Sequence, residues 1–207
     1  MIVSYNKAFV GDTLLVQLTA QPIVKFEFER HGDLYMMKES ANGEVKAFNL
    51  FNASKYIDLE GVNGNVELTE QFVDALKAAI KACGATLDLD VDLTPKFVVG
   101  QVLKMEDHPD ADKLHICQVQ VDEEEPIQIV CGAPNVEAGQ KVVVAKIGAV
   151  MPSGLVIKHS ELRGVPSEGM LCSARELAIP NAPSAKGILV LDDSVEVGAP
   201  FEMPSKL

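Results

Sequence analysis

Along the first quarter of the chain, apolar and polar residues alternate with a period of two. In "KFEFERHGDLYMMKES", Phe26 and Phe28 alternate with Lys25, Glu27 and Glu29, the pattern of a half-buried strand. Gly32-Asp33 offers a turn, so the run predicts a hairpin. "MIVSYN", "TLLVQLT" and "EVKAFNLFNAS" are further strand-like runs. The period then changes. In "TEQFVDALKAAIKACG" the residues Phe72, Val73, Leu76 and Ile80 line one face of a helix. Thr69 is placed to cap it, Glu70 suits its positive end, and Gly84 follows as a stop. These elements predict a small α+β domain over residues 1–92. The alternating Leu-Asp run "ATLDLDVDLTPKF", closed by Pro95, bridges to a second domain over residues 93–207.

From Phe97 onward the pattern is all-β. "FVVGQVLKME", "KLHICQVQVD", "IQIVCGA", "KVVVAKIGA", "GLVIKHSEL", "GMLCSA" and "GILVLDD" are short β-prone runs separated by Pro, Gly, Asn and Asp. Short strands at close spacing predict a closed barrel or a sandwich. For a segment of this length, a five-stranded OB-type barrel with appended strands fits best. Barrels of that type often bind single-stranded or looped nucleic acid on an outer face.

Composition narrows the classes. The 207 residues are 47% hydrophobic and 23% charged, an ordinary globular balance that argues against disorder. No apolar run approaches the roughly 20 residues of a membrane helix. The start, "MIVSYNKAFVGD", lacks a basic segment followed by an apolar one, so a cytoplasmic protein with no membrane partner is expected. Cys83, Cys117, Cys131 and Cys172 form no CxxC pair and sit in apolar surroundings such as "IVCGA", as reduced structural thiols do. Without a secretory route, Asn52-Ala53-Ser54 is a chance match to a glycosylation acceptor.

The net charge of −12 runs against the basic footprint of most nucleic-acid binders. Its distribution matters more. Residues 106–125 hold eight acids, among them Glu123 to Glu125, against Lys113 alone. Residues 139–175 hold Lys141, Lys146, Lys158, Arg163 and Arg175 against Glu161 and Glu168, a local +3 on an acidic body.

His108, Asp110, Asp112, His115 and Cys117 could be set out as metal ligands, but their spacing repeats no zinc pattern and hard oxygens mix poorly with a thiolate. Turn chemistry is the better reading of "MEDHPDADKL". Neither GxxxxGK[ST] nor GxGxxG is present, so no phosphate loop is expected. A nucleophilic site would draw on Cys131, Cys172, Ser167 or Ser173 with His108, His115 or His159 as base, yet nothing in the sequence pairs them. No catalysis, cofactor or metal is expected.

One stretch resists a purely structural reading. "LRGVPSEGMLCSARELAIP" places two glycines, Gly164 and Gly169, five residues apart, where bare backbone must serve some purpose. The ordered set "HPDADKL", "IVCGAPNV", "KIGAVMPSG", "IKHSELRGVPSEGMLCSARELAI" and "GILVL" resembles the tRNA-binding domain at the N-terminus of phenylalanyl-tRNA synthetase β subunits. That domain also occurs at the C-terminus of many methionyl-tRNA synthetases and in stand-alone tRNA-binding proteins. The resemblance covers about residues 97–203. With the preceding domain, whose role it leaves unassigned, the chain is similar to small bacterial proteins related to that β subunit.

The resemblance implies an OB-fold that binds tRNA by shape and backbone. By position, Lys113, Lys146, Lys158 and Arg163 would meet phosphates. Asn135, Ser167 and Ser173 would supply hydrogen bonds, Met170 an apolar contact, and Glu176 would orient its neighbours. Gly164 and Gly169 would let the backbone and Ser167 approach the RNA closely. The alternative is an OB-fold module that binds a protein, for example an aminoacyl-tRNA synthetase, with little RNA affinity. A homodimer is compatible with either reading.

Overall fold

A computed structural model describes residues 1–19, 24–122 and 125–202. The chain divides into two compact units, Met1–Thr94 and Pro95–Leu207.

The first unit is a six-stranded antiparallel sheet carrying one α-helix. Its strands are β1 (Ile2–Tyr5), β2 (Thr13–Gln17), β3 (Phe26–His31), β4 (Leu34–Glu39), β5 (Val45–Phe51) and β6 (Gly64–Asn65), in the order β3-β4-β5-β2-β1-β6. The register lines up one apolar ladder: Val3 opposite Val16, Val16 opposite Phe48, and Phe48 opposite Met36. Tyr5, Leu14, Leu50 and Leu34 form the next rung. Helix α1 (Glu70–Ala82) adds Leu76, Ala79 and Ile80 to this core. Thr69 caps it as expected, accepting the Phe72 N–H at 3.1 Å. Among the described residues of this unit helix is confined to α1 and one 3-10 turn at Ala53–Lys55, so strand outweighs helix and the α+β description overstates its helical share.

Strand β3 departs from expectation. Phe26 and Phe28 are 46% and 68% exposed, although their alternation pointed to the buried side of the strand. Pairing with β4 decides the matter. Glu29 lies opposite Met36 and His31 opposite Leu34, so the core side of β3 carries Glu27, Glu29 and His31. Glu29 is bonded there by both His31 and Lys38. The phenylalanines occupy the other face.

The second unit is a nearly closed, barrel-like sheet. Its strands are β7 (Phe97–Asp107), β8 (His115–Gln120), β9 (Ile127–Cys131), β10 (Lys141–Lys146), β11 (Ser160–Leu162), β12 (Val165–Ser167), β13 (Gly169–Leu171) and β14 (Val190–Leu191). The main path runs β13-β10-β7-β8-β9, with β14 also on β10 and β11 paired only to β12. The two ends of the path meet at β9. The Glu168 N–H donates to the Gln128 carbonyl at 2.8 Å, and the Gln128 side chain donates to the Pro166 carbonyl at 2.8 Å.

Strand β10 explains why "VVVA" is a continuous apolar run. Val142 and Val144 face the barrel interior with Val102, Val119 and Ile129. Val143 and Ala145 face a second cluster with Ala149, Met151, Cys172 and Leu177, contributed by the chain after β10. Both faces are buried, so no alternation survives.

Gly164 and Gly169 are bare for separate reasons. Arg163 and Gly164, at φ 48° and 84°, form the two-residue turn between β11 and β12, where both central positions take positive φ. Gly169 sits against β10, where a Cβ would stand 2.9 Å from the Ala145 carbonyl oxygen. Gly169→Ala should therefore force β13 away from β10 and destabilise the second unit by about 1–3 kcal/mol. All three tyrosines lie in the first unit and tryptophan is absent. A suitable probe is therefore thiol exposure of Cys117, Cys131 and Cys172 in denaturant, and its midpoint should fall.

Candidate nucleic-acid interface

Beside the barrel-like sheet, the chain after β10 folds back to leave a groove of about 800 Å³. Its floor includes Val130, Cys131, Leu171 and Ile188, and its rim includes Arg175 and Lys186. Of the residues expected from sequence, Met170, Ser173 and Glu176 line it together. Met170 opposes Ala145 across the β10–β13 ladder and is half-buried against the outer cluster.

Ser173 and Glu176 form a reciprocal capping box on the turn that follows β13. The Glu176 carboxylate accepts the Ser173 N–H at 2.8 Å and its hydroxyl at 2.6 Å. The Glu176 N–H donates back to Ser173 Oγ at 3.3 Å. Sequence reading gave Glu176 an orienting role, and the geometry gives it this one. The box fixes the turn that presents exposed Arg175.

Asn135 works in the same way on the segment that carries Lys186. Its side-chain amide donates to the Ile188 carbonyl at 3.0 Å and accepts the Ile188 N–H at 2.9 Å. This pair mimics a strand rung and holds the Lys186-Gly187-Ile188 segment. A Cβ on Gly187 would fall 2.6 Å from Asn135 Oδ1, so bare backbone is needed to seat the amide. Both amide atoms of Asn135, from which the resemblance implied a hydrogen bond to RNA, are thus bonded to backbone.

Ser167 requires a correction. Its residue is 2% exposed, its Oγ accepts the Val130 N–H at 3.1 Å, and its hydroxyl donates to the Gly169 carbonyl at 3.2 Å. The hydroxyl supplies ladder bonds where β9 meets the β12–β13 segment, and no surface remains for RNA. Gly164 and Gly169 likewise serve the turn and the β10 contact.

The four predicted cations are not gathered in the groove. Lys146, on β10, is half-buried and ion-paired with Asp122 at 3.5 Å. Lys113 and Lys158 are exposed on loops, and Arg163 is exposed at the tip of the β11–β12 hairpin. His108, considered as a metal ligand, links two of these segments. It is 5% exposed; its Nδ1 accepts the Asp110 N–H at 3.1 Å, which leaves Nε2 to donate to the Leu162 carbonyl at 3.0 Å. The turn carrying Lys113 is thereby fastened beside Arg163. Among the described residues no cluster of His, Cys, Asp or Glu is arranged to hold a metal. Glu123 and Glu124 of the acidic run lie outside the described residues.

Arg175 and Lys186 were missed as site residues. The local excess of positive charge included Arg175, but nothing in the sequence put Lys186 across a groove from it. The thiols are structural: burial pushes Cys117 and Cys172 up to about 12 and raises Cys131 as well. Alkylating reagent at pH 8 should leave Cys117 and Cys172 unmodified in folded protein and label them on denaturation. Ser167→Ala should lower stability by about 1–3 kcal/mol, because the buried Val130 N–H loses its acceptor. A denaturant titration checks it.

Comparison with known proteins identifies the family. Residues 97–200 match a family described as "Putative tRNA binding domain", and residues 23–92 match "Domain of unknown function (DUF4479)". The chain is 54% identical, over 96% of its length and 98% of the relative's, to the "Putative tRNA-binding protein YtpR" of Bacillus subtilis. It is 46% identical over 152 residues to a phenylalanine–tRNA ligase β subunit of Halalkalibacterium halodurans, spanning 70% of this chain but 18% of that one. A Listeria innocua β subunit is 60% identical over 106 residues, 49% of this chain and 13% of its own length. The barrel-like unit with its lined groove coincides with the matched segment, and the relative matches from end to end, so the chain belongs to the YtpR family of tRNA-binding-domain proteins.

Proposed function

We propose that this chain binds tRNA through its second unit, by shape and backbone, and catalyses no reaction on it. The observation that carries this reading is the 54% identity, over nearly the whole chain, to a relative named as a tRNA-binding protein. The second unit, in this reading, is an OB-type barrel with appended strands. Arg175 and Lys186 at the groove rim, together with Lys113, Lys158 and Arg163, meet phosphates. The apolar floor beside Met170 takes an unstacked base or a ribose face. Lys146 contributes less, because Asp122 already neutralises part of its charge.

The absence of catalysis is supported by the state of the candidate nucleophiles. Burial raises the Cys131 thiol and pushes that of Cys172 up to about 12, and the Ser167 hydroxyl is occupied within the barrel. A cytoplasmic setting belongs to the same reading and is supported by four free thiols. The ligase activity of the longer relatives does not transfer, since the chain spans 18% of one and 13% of another.

Binding measured across a salt series tests the proposal. Each phosphate contact removed by Arg163→Ala, Arg175→Ala or Lys186→Ala should reduce the log–log salt slope by about 0.7–0.9. Met170→Ala should lower affinity by about 1 kcal/mol with little change of slope. Unchanged affinity and slope in all three charge variants would move the RNA surface elsewhere and return the protein-binding alternative to the lead.

A further inference from the structure

We infer that the first unit carries a self-association edge: strand β3 pairs with β3 of a second copy, antiparallel about a two-fold axis at Phe26. Three independent features converge on this strand. Among the described residues it is the terminal strand of its sheet, with β4 on one side only. Its apolar side faces away from the core, with Val24, Phe26 and Phe28 exposed by 84%, 46% and 68%. The same outer face continues inward through half-buried Met37 and Tyr35 to Leu15 and Phe51, which are 37% and 39% exposed. Apolar surface of that extent on one sheet face marks an interaction site rather than scattered exposure. The opposite edge of the sheet, β6, is two residues long and offers little to pair with.

The backbone phase of β3 suits pairing. The Ser40 N–H donates to the Lys25 carbonyl at 3.1 Å, so Lys25 and every second residue after it direct their peptide groups toward β4. Val24, Phe26, Phe28 and Arg30 therefore direct theirs outward. An antiparallel partner in the same sheet plane must place these outward residues opposite one another.

Charge selects the register. With the axis at Phe26, Phe26 meets Phe26 of the other copy and Val24 meets Phe28. Lys25 meets Glu27 at the two positions between, where side chains approach most closely. Moving the axis by one residue sets Glu27 against Glu27, and moving it by two sets Glu27 against Glu29. The Phe26-centred register gives unlike charges at both close positions and four phenylalanines with two valines in one cluster. A second copy of the chain is thus the occupant whose chemistry this edge complements.

The experiment is a charge reversal and rescue on the full chain, read by sedimentation across a range of protein concentrations. The parent should form a dimer. Lys25→Glu alone, or Glu27→Lys alone, places like charges at both close positions and should weaken dimerisation on the order of tenfold. The double variant Lys25→Glu/Glu27→Lys restores unlike pairs and should recover dimerisation. Both side chains are exposed, and far-ultraviolet circular dichroism of each variant verifies the fold. A monomeric parent overturns the proposal. So does a dimer indifferent to the single reversals, or one that the double variant fails to recover.

Discussion

The second unit depends on how its sheet closes between β9 and the β12–β13 segment. Ser167 is the centre of that closure. Its hydroxyl accepts the Val130 N–H and donates to the Gly169 carbonyl, while the next peptide group, Glu168 N–H, bonds Gln128. Gly169 follows with no side chain because the Ala145 carbonyl lies where a Cβ would go. Without these contacts β9 and β13 would be two free edges, each with a row of unpaired backbone groups. With them, β10 is covered inside by the barrel core and outside by the returning chain.

That second layer creates the groove. Once Val143 and Ala145 are covered by Met151, Cys172 and Leu177, the chain must run over the outside of the barrel. It does so in two fixed pieces. The Ser173–Glu176 box shapes the turn bearing Arg175, and the Asn135 amide pins the segment bearing Lys186. Polar residues that look like ligand contacts in the sequence are thus the frame, and the exposed cations beside them belong to the proposed contact surface.

The first unit follows a different logic. Its core needs only one face of the sheet, and α1 with Leu76, Ala79 and Ile80 covers that face. Strand β3 lies at the margin of this cover. The charged set of Glu27, Glu29, His31 and Lys38 takes the core side there, leaving aromatic surface outward on an edge strand. The two units therefore expose different chemistry, an apolar sheet face on one and a groove bearing Arg175, Glu176 and Lys186 on the other.

Local pattern by itself determined much of this protein. Helix α1 and its Thr69 cap, the strand runs of both halves and the β3–β4 turn were legible, because period and turn residues are properties of neighbouring positions. The tRNA-binding resemblance was legible because its motifs are contiguous strings in order. Tertiary structure alone decided which side of β3 faced the core, since alternation marks two faces and only the partner strand chooses between them. It alone decided that Ser167 closes the sheet, that Asn135 pairs with Ile188, and that Arg175 and Lys186 share one rim. Each of those facts joins residues distant in sequence or separated by a change of strand. A side chain's hydrogen-bonding capacity is written in its type, but its partner is set by the fold.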